Sequence, residues 1–261
     1  MSNTTDDKEF FDLIANITKD QTFVAALTDK QEYNFKQIST LQLKELVKTV
    51  VDSPLTQSLF NTTITKTFKD NIVGDKILHD RFNVIDRLIF TLETRINSIS
   101  HTIVQKVDGN QIIVNLTQVL EKLRELTEKS SFLFSDAVAT EDKISITYGV
   151  PTIDADDRLN REVYKEAKSD VENTDELRKL IGEAFINEIT KAVKIIQIED
   201  REFDLSSLDF KTRVKMVESL PANLIKRVIM FVEKYKQVIE SSLEVNKNFS
   251  LPIDGSLFSL K

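Results

Sequence analysis

The 261-residue chain has no cysteine and no tryptophan. Without cysteine there is no disulfide scaffold, no thiol nucleophile and no Cys-ligated zinc or iron–sulfur site. A chain of this length can bury a core of its own and needs none of these to fold. Glycine (5) and proline (4) are scarce. Phosphate-cradling loops, nucleophile elbows and mobile lids draw on glycine, because it reaches positive φ without steric cost. Their scarcity points to a regular scaffold of long elements and away from most nucleotide-binding enzymes. Neither a Walker loop nor a dinucleotide fingerprint is present.

Positive charge is also short: 35 basic residues stand against 42 acidic ones, a net charge of -7. The basic residues are scattered among acidic ones, which disfavours free nucleic-acid binding. No stretch approaches the roughly 18 consecutive apolar residues of a membrane span, and Met1 to Lys8 is polar and acidic rather than signal-like. The expectation is a soluble protein with no nucleic-acid and no membrane partner.

What is present is helical periodicity, interrupted by a few short strands. Residues 1–20 carry Phe10, Phe11, Leu13, Ile14 and Ile17 at helical spacing, an arm that could dock elsewhere. Residues 21–38 suit one or two strands around Thr28-Asp29-Lys30, with Tyr33, Phe35 and Gln37 on one side. Thr40 is placed to cap a helix bearing Leu43, Leu46, Val47, Val50 and Val51, and Pro54 to open another that runs to about Asp70. Ile85, Leu88, Ile89, Leu92, Ile96 and Ile99 step by three and four along residues 82–99. The period then changes: Asp108-Gly109 sits between two runs that read as a β-hairpin.

A helix through Leu116, Val119, Leu120, Leu123 and Leu126 follows. Two strand candidates come next, around Phe132–Ala139 and Ile144–Val150. Residues 154–172 are so charged that they read as a solvated helix or as a hinge between two halves. Asn173 would open a long amphipathic helix with a stripe through Leu177, Leu180, Ile181, Ala184, Phe185, Ile189, Ala192, Val193 and Ile196. A helix over 206–218 and a longer one after Pro221 complete the series. The expected class is α+β, predominantly helical with one or two small antiparallel β-sheets. The expected organisation is an arm (1–20), an N-terminal α+β domain (21–152), a C-terminal helical domain (153–246) and an extended tail (247–261).

Few residues suggest chemistry. The histidines are His79 and His101, each isolated, with no Gly-x-Ser-x-Gly and no glycine-rich turn to form an oxyanion hole. A scattered hydrolase site built on them is the enzymatic alternative. Asp154-Ala155-Asp156-Asp157 invites a calcium reading. However, Arg158 occupies a ligand position of the loop pattern and its turn glycine is missing, so a helix N-terminus fits these carboxylates better. Asp200, Glu202 and Asp204 alternate but suit a loop or edge strand. The reading is therefore not an enzyme, with no catalytic residue, no cofactor and no metal. Sixteen phenylalanines stand out. Most lie at core spacing, whereas Phe10, Phe11, Phe249, Leu257 and Phe258 lie near the chain ends. They are candidate partner-binding anchors, unless they fold back onto their own core.

Several segments together resemble the T4-like bacteriophage baseplate hub family. Asp86 to Arg95 looks like its Asp-x-x-x-x-x-Leu-x-x-Arg helix. Ile144 to Pro151 looks like its strand running into Pro-Thr, and Ile195 to Asp204 like its acidic strand. Ser219-Leu220-Pro221 looks like its helix start, and Gly255-Ser256-Leu257-Phe258 like its terminal segment. The Cys-x-x-Cys pair of several relatives is missing. The resemblance implies a structural subunit of a contractile-tail baseplate, hub or hub-proximal. It would be found in the virion, and in host cytoplasm during assembly, in several copies around a symmetric particle. Its partners would be other baseplate or tail proteins, the tape-measure protein among them. The alternative within the family is an assembly chaperone that leaves the mature particle.

Overall fold

A computed structural model describes residues 21–49, 54–74, 81–107, 110–166 and 185–259. The arm with Phe10 and Phe11, Val50 and Val51, His79, the Asp108-Gly109 turn and the stripe from Leu177 to Ala184 lie outside the described residues. The fold is α+β, with helices surrounding small antiparallel sheets.

Strands β1 (Thr22–Ala26) and β2 (Glu32–Lys36) form a hairpin. Its inner face alternates as a half-buried ribbon should: Phe23 and Ala25 are buried between exposed Thr22 and Val24, and Phe35 is buried between Asn34 and Lys36. Helix α1 (Thr40–Val47) follows. Its N-cap is Ser39 rather than Thr40, because Ser39 and Gln42 complete a reciprocal capping box. Helix α2 (Pro54–Asn71) starts at the expected proline.

Helix α3 (Val84–Ser98) is the centre of the molecule. Asn83 and Asp86 cap it, and every residue from Ile85 to Leu92 is buried. Phe90 of α3 stacks near Phe23, Phe35 and Phe68, and Phe82 joins the group through Phe68. Centroid separations of 4.9–6.3 Å are those of interlocked aromatic packing. Much of the phenylalanine excess is thereby core.

Strands β3 (Thr102–Val107) and β4 (Asn110–Asn115) pair in the register expected for the hairpin. Asn115 then caps α4 (Leu116–Lys129), whose buried stripe is Leu116, Val119, Leu120 and Leu123. β5 (Ala137–Glu141) is preceded by a short 3-10 turn at Ser131–Leu133, so the first strand candidate is shorter than its apolar run. β6 (Ile144–Tyr148) matches the alternation of Ile144, Ile146 and Tyr148.

Helix α5 (Ile153–Glu166) corrects the solvated reading of the charged segment. Ile153, Ala155, Asp156, Asp157, Leu159 and Asn160 are all buried. Residues 185–192 form helix α6, which ends where β7 (Val193–Ile198) begins. Val193 and Ile196, expected on the helical stripe, therefore belong to a strand. β7 turns into β8 (Arg201–Asp204) and completes a sheet ordered β5-β6-β7-β8.

That sheet takes β5 and β6 from before residue 153 and β7 and β8 from after it. One cluster of buried apolar residues runs from Phe23 to Phe258. The domain boundary expected between 152 and 153 thus falls inside a shared sheet and a shared core, and the region 153–246 is not purely helical.

Helices α7 (Phe210–Glu218) and α8 (Ala222–Leu243) follow, with Pro221 immediately before α8. The last segment is not a free extended tail. β9 (Glu244–Asn246) and β10 (Phe249–Ser250) make a small hairpin, and a 3-10 turn at Gly255–Phe258 seats against α1.

Candidate functional site

The two most distinctive polar arrangements both centre on α3. In the first, Asp156 of α5 is 2 % exposed and lies between two cations. Arg87 of α3 approaches its Oδ2 at 2.6 Å, and Lys191 of α6 donates to its Oδ1 at 2.7 Å. Lys191 also reaches Glu188 at 2.5 Å, and Glu188 meets Lys236 of α8 at 2.8 Å. Four helices are joined through this chain of charges.

Burial alone would push the Asp156 carboxyl up, but Lys191 and Arg87 outweigh it and hold it well below the usual carboxylate range. Burial alone would push Lys191 down, but Asp156 and Glu188 hold its ammonium firmly charged. A carboxylate clamped by two cations is a poor proton acceptor, so the cluster suits holding helices in place better than acid–base chemistry. Asp154 pairs with Lys69 of α2, and Asp157 pairs with Arg161 at 2.7 Å. The acidic run is thus divided among three sets of partners. Among the described residues no group of three or more His, Cys, Asp or Glu side chains could hold a metal ion.

The second arrangement is a clasp on the C-terminal segment. Arg95 of α3, 4 % exposed, donates from Nε to the Leu257 carbonyl at 2.6 Å and from Nη1 to the Ser100 carbonyl at 2.6 Å. Gly255 N–H donates to the Thr49 carbonyl at 3.1 Å. At the other end of α3, Asp86 accepts N–H bonds from Thr28 and Asn83, each at 2.8 Å. Burial pushes the Asp86 carboxyl up to about 6, against those hydrogen bonds.

These positions decide the fate of the candidate anchors. Leu257 and Phe258 are fully buried in the chain's own core, which corrects their reading as partner-binding residues. A side chain with no accessible surface has nothing left to bury in a partner. Phe249 is half-buried against the same core. His101 is exposed, and Asp200, Glu202 and Asp204 are exposed on the β7–β8 turn and β8.

Apolar exposure occurs instead on the β3–β4 hairpin. Val104 and Ile113 face each other across the ladder and are 48 % and 72 % exposed. The run Ile112-Ile113-Val114 concealed this, because three consecutive apolar residues leave the strand's inner side undefined.

Comparison with protein-family models, characterised proteins and solved structures finds no match to this chain.

Proposed function

We propose that the protein is a structural subunit of a bacteriophage tail baseplate, hub or hub-proximal, which acts through protein–protein contacts rather than catalysis. The observation that carries this reading is the contact between Arg95 and Leu257. The two residues come from two of the motifs behind the resemblance, and they lie 162 positions apart. A third motif joins them: Val84 N–H at the start of α3 donates to the Pro151 carbonyl at 3.1 Å, and Asn83 bridges Thr152. In this reading the motif residues maintain a scaffold, and the outer surface makes the contacts of assembly.

The Val104–Ile113 pair is an apolar patch of the kind such contacts bury. The experiment is co-sedimentation from phage-infected cells that express a tagged chain. A structural subunit sediments with baseplate intermediates and with completed tails. A chaperone of tail assembly, the second family role, sediments with intermediates alone. A chain found in neither fraction refutes both.

A further inference from the structure

Arg213 of α7 is 3 % exposed, and its Nη2 donates to the carbonyls of Thr190 at 3.2 Å and Val193 at 3.3 Å. These lie at the C-terminal end of α6, where positive charge is favoured. That role occupies one nitrogen. The Nε donor is buried and has no partner, and among the described residues no carboxylate forms an ion pair with Arg213. A buried donor without an acceptor has lost its water without replacement.

Arg213 lines a cavity of about 370 Å³, whose other charged lining residues are Arg158, Lys191, Lys194, Asp154 and Asp204. Arg158 of α5 is exposed and is held in place by the carbonyls of Ser206 at 2.9 Å and Leu208 at 3.4 Å. It too has no carboxylate partner among the described residues. Lys194 is matched by Asp136 at 2.6 Å. Asp204 accepts the Ser206 N–H at 2.8 Å. Burial, reinforced by the neighbouring charge of Arg158, pushes the Arg213 guanidinium down to about 10. Of the four cations that line this cavity of small-molecule size, Lys191 and Lys194 are matched by Asp156 and Asp136, which leaves the two guanidinium groups without a carboxylate partner among the described residues.

We propose that this cavity binds a small oxyanion, a phosphate or carboxylate group held between Arg158 and Arg213. Guanidinium groups suit this ligand because their planar N–H forks match its oxygens. The site does not depend on any assembly in which the chain takes part.

The test is titration of the full-length ¹⁵N-labelled chain with inorganic phosphate and, separately, with acetate. Sodium chloride at matched ionic strength is the reference, and the readout is the Arg213 Nε–H resonance. A saturable shift is expected with at least one anion and not with chloride. Saturation by phosphate alone assigns a phosphate group, and saturation by acetate assigns a carboxylate. Arg158→Gln is expected to weaken the affinity by about tenfold, one charge-assisted contact. Its urea midpoint should shift only slightly, because Arg158 is exposed and the variant loses only two surface hydrogen bonds to carbonyls. Arg213→Lys assigns the resonance, and the proposal does not rest on that variant folding. Absence of saturation with both anions, an equal shift with chloride, or undiminished affinity in Arg158→Gln would overturn it.

Discussion

Arg95 Nε donates to the Leu257 carbonyl at 2.6 Å inside the core, so the turn at Gly255–Phe258 is fastened to the central helix. Arg95→Met is expected to destabilise the protein by about 1.5–3 kcal/mol, the range for hydrogen bonds to a charged group. Urea denaturation measures the loss. Limited proteolysis should show new cleavage between α8 and the C-terminus, because the released segment is what the clasp holds.

Truncation sharpens the same point. Phe258→Ala is expected to destabilise by about 3–5 kcal/mol, as for a large buried aromatic replaced by alanine. Deletion of everything after Asn246 should destabilise further, since Leu251, Leu257 and Phe258 leave the core together. A truncated chain that unfolds at the same urea concentration as the intact one would contradict the burial described above.

Asp156 should behave as a tie between helices. Asp156→Asn leaves Arg87 and Lys191 buried without their shared counter-charge, at a cost of about 3–5 kcal/mol. The folded carboxyl lies below its ordinary value of 3.8, so its contribution is complete above that pH and is lost as pH falls below it. Stability of the wild type minus that of the variant, measured by urea denaturation across pH, should shrink on the acid side.

Asp86 should act with the opposite sign in a different window. Its folded value of about 6 exceeds the ordinary 3.8. Its contribution is therefore full below about pH 4 and lost as pH rises through 6, by about 3 kcal/mol in all. Asp86→Asn lowers stability throughout, because an acceptor is lost, but it should remove this slope between pH 4 and 6.

Gly149 offers a milder test. A Cβ there would stand 2.2 Å from Asp136 Oδ1, the side-chain oxygen that pairs with Lys194. The obstacle is a movable side chain on a partly exposed ion pair. Gly149→Ala should thus cost no more than about 1 kcal/mol, and adding Asp136→Ala should cost nothing further.

What could be read from the sequence was local. The step of three and four along Ile85–Ile99 marked α3, and the change of period around Asp108-Gly109 marked the β3–β4 hairpin. Both signals lie within a few residues of one another. The misread segments depend on distant partners. Asp156 looked solvated because Arg87 and Lys191, 69 and 35 positions away, cannot be matched to it along the chain. Val193 and Ile196 continued a helical stripe, and only pairing with β6 makes them a strand. Phe258 looked free because its short segment carries no helical or strand period, while the turn that holds it packs against α1, more than 200 positions earlier. Arg158 and Arg213 gave no signal as a pair, since 55 positions separate them.

The proposed role is that of a structural component of a phage baseplate. Quantitative mass spectrometry of purified virions and of isolated baseplates tests it most directly. The account predicts the chain in both, at the same fixed ratio to the other baseplate proteins. Its absence from virions and from baseplates would contradict the account.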